Sequence, residues 1–493
     1  MKLLQLVAIL LFVTSAKASN VQVSNLSVDQ ANQKASFTVS WENSWNLNTI
    51  PNNFDAVWIF LKYRQGGIWS HTLISTVAGN HTLGSSLAVA SLTDATGIMI
   101  KRATTGSGNI STNNDVTLLL TNLPTTSMIE LVQVFAIEMV QVPAGSFSIG
   151  DNSFSDSSFT NTTIASEGLI AANTLRPAGL TLTGQSSAIP AAFPKGFDEF
   201  YIMKYEISAG QYTAFLNTLT RTQQVSRVGT DVSVSGTITD INVLRETSTS
   251  TGSPRIMCPA SLPNTTDPIL FTCLANDKAC EFLNYADIAA YLDWSALRPI
   301  TELEYEKACR GTASRISGEF PWGNALIFFN SSTINITGNN TPTETLTDCD
   351  PANNPTHLGV AAYQGKGMVT GQAIVPLRCG FPGAAATSRA LMGASFFGVM
   401  EMGGNCIELV VNVSNASGVT FTGNNGDGVL SAGGIANVTA WPSSTTCNGV
   451  GKKGGDYNAV ANRLRVSDRA LINVTTNTVL NNRIDGSGGR GGR

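Results

Sequence analysis

The sequence is short of charge, of histidine and, in its first half, of cysteine. Lys and Arg number 30 and Asp and Glu 34, so only 13% of the 493 residues are charged, against about 25% in an ordinary soluble domain. A formal net charge of −4 leaves no basic footprint for phosphate, which excludes a nucleic-acid binder that works by neutralising the backbone. Adhesion to a membrane surface through Lys and Arg is excluded on the same ground. The three histidines, His71, His81 and His357, are too scattered for an imidazole metal centre. No uninterrupted apolar run reaches the roughly 18 residues that cross a bilayer, so no membrane insertion is expected. Ser, Thr, Asn and Gly replace the missing charge. A surface hydrated through hydroxyls and amides is commoner in extracellular coat, fibre and adhesive proteins than in cytosolic enzymes.

What is present supports an exported chain. Lys2 precedes the apolar run Leu3 to Val13, and small residues surround Ser15-Ala16-Lys17-Ala18, the pattern of a secretory signal peptide over residues 1–19. The mature chain is expected to be secreted, extracellular or at the cell surface. Cys258, Cys273, Cys280, Cys309, Cys349, Cys379, Cys406 and Cys447 are even in number, which in an exported protein reads as disulfides and leaves the pairing open. No CxxC spacing favours a metal instead.

Residues 20–135 have strand character throughout. Val21-Gln-Val-Ser-Asn-Leu-Ser-Val and Ala35-Ser-Phe-Thr-Val-Ser-Trp alternate apolar and polar, while Ala56-Val-Trp-Ile-Phe-Leu-Lys-Tyr is a more continuous apolar run. The expected architecture is an all-β sandwich of immunoglobulin-like size. Trp41, Trp45, Trp58 and Trp69 could form a sugar-binding platform, but aromatics on alternating strands are more often core. From residue 136 the pattern becomes α+β. Met139-Val-Gln-Val-Pro-Ala-Gly-Ser-Phe-Ser-Ile-Gly predicts two short strands around a turn, Ser208 opens a helix that offers Tyr212, Phe215, Leu216 and Leu219 on one face, and a second helix covers about Tyr285 to Trp294. Thr301-Glu-Leu-Glu is a capping box for a third, ended by Gly311. Beyond Arg310 the chain reads as loop and short strand.

Six segments then give the second unit a family resemblance. They are Met139 to Gly150; Tyr201-Ile-Met-Lys-Tyr-Glu-Ile-Ser-Ala-Gly-Gln-Tyr; Arg298-Pro-Ile-Thr-Glu-Leu-Glu-Tyr-Glu-Lys-Ala-Cys-Arg-Gly; Phe320-Pro-Trp-Gly-Asn; Gly398-Val-Met-Glu-Met-Gly-Gly-Asn-Cys-Ile-Glu-Leu; and Lys453-Gly-Gly-Asp-Tyr. In this order they resemble the formylglycine-generating-enzyme (sulfatase-modifying-factor) family, which implies a C-type-lectin-like fold over residues 136–493. The enzymes of that family oxidise a substrate cysteine with copper held by two of their own cysteines, placed just after a Gly-Gly-Ser-Tyr/Trp motif. Here Gly454-Gly455-Asp456-Tyr457 is followed by no cysteine at all. Copper is therefore not expected, because Cu(I) needs thiolate ligands, and a formylglycine-generating oxidase is the less favoured expectation. The resemblance also implies a calcium site at Gly404-Asn405-Cys406-Ile407-Glu408, with Asn405 and Glu408 as candidate metal ligands; the alternative is that both brace the loop by hydrogen bonds.

A second resemblance concerns the C-terminal segment. Residues 456–493 contain no Lys, Glu, Gln, Met or Trp, the amino acids that no codon ending in a pyrimidine encodes, and they end Gly486-Ser-Gly-Gly-Arg-Gly-Gly-Arg. This is similar to the target proteins of diversity-generating retroelements, whose variable residues form an exposed binding face. By that resemblance Tyr457, Ala459, Val460, Ala461, Asn462, Ala470, Leu471, Ile472, Val474, Thr475 and Thr476 are ligand-binding candidates, with Leu464-Arg-Val-Ser-Asp-Arg as fixed framework. The alternative is an ordinary final strand pair followed by a Gly-rich end. The function expected is a non-enzymatic ligand-binding or adhesion protein, its partner a protein or glycan on another cell or a phage. The alternative is a structural subunit that self-associates into an extracellular fibre or coat.

Overall fold

The computed structural model describes residues 20–151, 157–175, 185–244, 256–327, 336–337, 345–346, 359–364, 375–381, 388–473 and 480–493. The signal-like segment 1–19, Cys349, His357 and the candidates Val474, Thr475 and Thr476 lie outside the described residues.

Ten strands come first: β1 (Gln22–Asp29), β2 (Lys34–Asn46), β3 (Asp55–Gln65), β4 (Ile68–Thr72), β5 (Thr82–Leu83), β6 (Leu87–Ser91), β7 (Ile98–Arg102), β8 (Gly106–Ile110), β9 (Asp115–Leu119) and β10 (Leu131–Val142). Two further short strands, β11 (Phe147–Ile149) and β12 (Thr162–Ile164), pair with each other, and β13 (Phe200–Met203) follows. One sheet has the order β1-β2-β9-β5 with β8 also on β2; the other has the order β13-β10-β3-β7-β6 with β4 also on β3. Phe37, Val39 and Trp41 from the first sheet meet Val57, Ile59 and Leu61 from the second in a shared core.

The continuous apolar run on β3 has a simple cause. Successive side chains of a strand point to opposite faces, and here both faces are covered. Val57, Ile59 and Leu61 face the sandwich, while Trp58 and Phe60 join a second core with Phe135, Tyr212, Phe215 and Trp294. The Phe60 ring lies 5.1 Å from both the Phe135 and Trp294 rings. Trp41 and Trp58 are therefore core residues, as alternation favoured. β10 pairs with β3 from Leu131↔Arg64 to Val140↔Asp55, and its last residues, Met139 to Val142, pair with β13. The expected boundary between residues 135 and 136 thus falls inside one unbroken strand that the two units share.

Four α-helices each begin with a complete capping box: α1 (Ala209–Leu216) at Ser208 and Gln211, α2 (Arg221–Arg227) at Thr220 and Gln223, α3 (Tyr285–Trp294) at Asn284 and Asp287, and α4 (Glu302–Arg310) at Thr301 and Glu304. Reciprocal capping satisfies two orphan N–H groups at each start. Gly311 ends α4 with φ 63°, a conformation open to glycine at little cost. The helix α2 was not foreseen, although Thr220-Arg-Thr-Gln is the same signal.

The Gly-rich C-terminus is not a loose end. Residues 486–492 are buried, and the segment runs between the sheet and α3. Gly492 bridges both Ile202 and Arg298, and the amides of Met203, Ile207 and Leu283 donate to the carbonyls of Gly491, Gly489 and Ser487 at 2.9 Å. The glycines are dictated by space, since a Cβ on Gly488 would lie 2.8 Å from Cys406 Cβ and 2.9 Å from the Cys280 carbonyl oxygen. Arg490 is fully buried. Its guanidinium donates to Glu408 Oε1 at 2.9 Å, to the Glu401 carbonyl at 3.0 Å and to the Met203 and Lys204 carbonyls at 3.3 Å. Arg493 lies 3.8 Å over the Trp58 ring and donates to Asp94 and Thr96, tying the tail back to the sandwich.

Around Arg490 stand three buried carboxyls, Glu206, Glu401 and Glu408. Burial pushes Glu401 up to about 7 and Glu408 up to about 8, and raises Glu206 as well, against the pull of the guanidinium. Breaking a buried pair costs more than the pair contributes. Arg490→Met should destabilise the fold by about 3–5 kcal/mol, read as a lowered urea midpoint. A carboxyl that keeps its proton in the folded chain, after losing it in the unfolded one, stabilises in acid and withdraws that stability as pH rises. For Glu401 the window runs from its ordinary carboxylate value to about 7. Urea midpoints should therefore fall between pH 5.5 and 7.5, and Glu401→Gln should flatten that fall.

Candidate functional site

The site is built on a strand pair and the turn after it. Glu408–Val411 pairs antiparallel with Val450–Lys453, in register Glu408↔Lys453 and Leu409↔Lys452. Gly454 and Gly455 then turn the chain with φ of 81° and 69°. A Cβ on Gly454 would collide with the Glu408 carboxylate, so the Gly-Gly pair is a packing requirement whatever chemistry follows it. Asp456 caps the turn, accepting from the Asn458 amide at 2.9 Å. A short 3₁₀ turn follows over Ala461–Leu464.

Beneath this surface the Leu464-Arg-Val-Ser-Asp-Arg segment is a fixed framework. Leu464, Val466, Ser467 and Arg469 are buried. Arg469 pairs with Glu302 on α4 at 2.6 Å and lies 3.8 Å over the Phe159 ring. Lys453 Nζ donates to the carbonyls of Val466 and Asp468 at 2.8 Å. The framework is thus tied to α4 and to the strand pair by charge-assisted hydrogen bonds, which are about twice as strong as neutral ones.

A cleft of about 280 Å³ opens between the turn and the framework, lined by Ile407, Lys452, Asp456, Asn458, Ala459, Val460, Arg463, Asp468 and Leu471 among others. Of the candidates named from sequence, Ala459, Val460 and Leu471 line it, with Val460 52% and Leu471 39% exposed. Asn462 is exposed, and Ala461 and Ala470 are half-buried beside it in the chain. Two candidates are displaced. Tyr457 is buried with Val360, Leu377 and Phe381, and its hydroxyl donates to Glu281 Oε2 at 2.6 Å; Ile472 is fully buried in the core with Val410 and Val466. Both are held by apolar burial that a surface residue would forgo.

Lys452, Arg463 and Asp468 were not singled out beforehand. A signal existed in Lys452-Lys453: adjacent strand residues face opposite sides, so of two successive strand lysines one is turned to each face. Arg463 pairs with Asp468 at 3.2 Å across the cleft wall.

The expected calcium ligands make contacts within the protein. Asn405 Oδ1 accepts from the Leu377 amide at 2.8 Å while its Nδ2 donates to Glu206 at 2.6 Å, and Glu408 pairs with Arg490. These are the contacts of the bracing alternative, with a guanidinium supplying the positive charge beside Glu408. Among the described residues no cluster of three or more His, Cys, Asp or Glu side chains could hold a metal.

The disulfide expectation is overturned for the seven described cysteines, all of which are free thiols. Cys379 and Cys406 pack together with Ala279, and Cys309, in the last turn of α4, lies in the core. Burial raises the Cys280, Cys379 and Cys406 thiols well above the ordinary range. They act as small apolar core residues, a common use of free cysteine. A larger cavity of about 490 Å³ lies at the junction of the sandwich and the second unit, lined by Trp45, Tyr205, Arg378, Phe396 and Met400 among others. Trp45, unlike Trp41, is only half-buried there, with Lys204 Nζ 4.8 Å from its ring.

Comparison with known proteins gives a family and a set of structural likenesses. A search of curated proteins finds no match. Among solved structures, PvdO from Pseudomonas aeruginosa is similar at 16% identity over 72% of this chain and 94% of that one, with a TM-score of 0.32. The model of the sulfatase-modifying factor enzyme 1-like domain matches residues 130–478, well over half of the chain and all of the strand pair, turn and framework just described. The chain belongs to the sulfatase-modifying factor enzyme 1-like (formylglycine-generating-enzyme-like) family.

Proposed function

We propose that this protein is an exported, non-enzymatic ligand-binding member of its family, with a C-type-lectin-like version of the fold preceded by an immunoglobulin-like sandwich. Its contact face is the cleft between the Gly454-Gly455 turn and the Leu464–Arg469 framework, and the exposed residues of that face are diversified by a retroelement. One observation carries the reading: where a member of this family would be expected to hold its two copper-binding cysteines, this chain has no cysteine after Cys447, and the same stretch presents Asn458, Val460, Asn462 and Leu471 to solvent. A scaffold that holds its framework by buried ion pairs can vary such residues at little cost to folding, as binding loops vary on a rigid support.

The thiol argument is chemical. Cu(I) is selected by soft thiolate ligands, and the thiolate is the reactive form of cysteine. Burial drives the described thiols the other way: Cys447, the last in the chain, is raised to about 11 and Cys273 also to about 11.

Two measurements test these points separately. Sequencing the 3′ end of the gene from many cells should find substitutions concentrated at Asn458 to Asn462, Ala470, Leu471 and Val474 to Thr476, with Leu464 to Arg469 and the buried Ile472 constant; invariance at every one of the positions expected to vary would contradict diversification. Purified protein given copper, oxygen and a cysteine peptide should consume no oxygen above the peptide alone, and copper-dependent turnover would overturn the non-enzymatic reading.

A further inference from the structure

Three buried side chains meet where the sandwich joins the second unit. β10 lies between β3 and β13, with Val140 opposite Asp55 on one side and Met139 opposite Met203 on the other. Continuing the second pairing by one residue puts Lys204 opposite Glu138, and the Lys204 amide donates to the Glu138 carbonyl at 2.9 Å. Side chains two apart on a strand share a face, so Glu138 stands on the face of Val140, diagonal to Asp55 and beside Lys204. Lys204 Nζ lies 3.0 Å from Glu138 Oε2 and donates to Asp55 Oδ2 at 3.3 Å. None of the three residues is more than 3% exposed.

Asp55 is held more closely than an ion pair requires. Its Oδ1 accepts from the Ser44 hydroxyl at 2.9 Å and from the Trp45 amide at 2.8 Å, and its Oδ2 accepts from the Trp41 indole at 3.1 Å. Two donors on one carboxyl oxygen are the arrangement that steadies the oxyanion formed when a nucleophile adds to the carboxyl carbon. The nucleophile is in contact with the other oxygen, and a second carboxyl touches the same nitrogen, where it can take the proton. Burial raises Asp55 against the pull of Lys204, toward the protonated form that has a hydroxyl to lose. Burial also works against the Lys204 charge, which Glu138, Tyr205 and Asp55 more than restore. The free amine therefore arises by handing its proton to Glu138, a transfer that removes two buried charges at once.

We propose that Lys204 and Asp55 condense into a side-chain amide, with Glu138 as the proton carrier, so that a covalent bond ties the sandwich to the second unit. The ammonium gives one proton to the Glu138 carboxylate, and the amine adds to Asp55 Cγ. The bond from Cγ to Oδ2 then breaks, and the hydroxyl leaves as water with a second proton from the nitrogen. Amide, water and a protonated Glu138 remain, with no change of oxidation state. Contact between the reacting groups replaces a bimolecular encounter by an intramolecular step. The water has an exit, because Lys204, Trp45 and Tyr205 line the cavity of about 490 Å³ at this junction.

The intact mass of the purified full-length protein, unfolded and reduced, tests this. The chain should weigh one water less than its sequence, and trypsin should release a branched peptide joining residues 35–62 to residues 196–221, uncut after Lys204. Asp55→Ala and Lys204→Met should each have the full sequence mass. Glu138→Gln should form the bond about 100-fold more slowly, while Glu138→Asp, which keeps a carboxyl, should recover part of that rate. Wild-type protein at the full sequence mass, with the two peptides separate, overturns the proposal whether or not the variants fold. Loss of water mapped to other residues overturns it as well. A folded Glu138→Gln that bonds as fast as the wild type contradicts the role given to Glu138.

Discussion

One guanidinium holds the centre of this protein together. Arg490 enters the interior three residues before Arg493 and meets Glu408 on a strand, the Glu401 carbonyl, and the Met203 and Lys204 carbonyls at the end of β13. The glycines around it let backbone pass where no side chain fits. Buried charge is tolerated only when paired and hydrogen-bonded, so the position of every element touching Arg490 is constrained at once. The two sides of the site, the strand pair and the C-terminal tail, are fixed to each other in this way.

The constraint has a consequence for the surface. Glu302 and Arg469, Lys453 with its two carbonyl partners, and Arg490 with Glu408 form a buried polar layer under the cleft. Side chains above that layer, such as Asn458, Val460, Asn462 and Leu471, contribute little to it and are exposed. Within one short stretch the residues that support the fold and those that face solvent are therefore different.

Much of this was legible in the sequence, and what was not has physical reasons. The capping box at Thr301 and the apolar face of Tyr212, Phe215 and Leu216 identified helices correctly, because local hydrogen bonds and helical spacing act over a few residues. The six family segments were readable because packing fixes them: Gly454 and Gly455 are demanded by the Glu408 carboxylate and by the Leu464 and Ala459 side chains. The burial of the Gly-rich tail was not readable. Its partners, Ile202, Arg298 and Ile407, are distant in sequence, and a run of glycines looks the same whether it is loose or threaded through a core. The cysteines misled for a related reason, since parity and compartment say nothing about which thiols face each other, and buried cysteine packs well unpaired. Tyr457 and Ile472 were taken for surface residues because a pattern of codon use marks a segment and not the inward or outward direction of each side chain in it.

The central claim is that a buried framework and an exposed, freely variable face alternate within residues 456–493. A saturation library over that segment, sorted for folded protein by resistance to protease, measures this most directly. The account predicts broad tolerance at Asn458, Val460, Asn462 and Leu471, and narrow tolerance at Leu464, Val466, Arg469, Ile472, Gly488 and Arg490. Uniform tolerance along the segment, or intolerance at the four exposed positions, would contradict it.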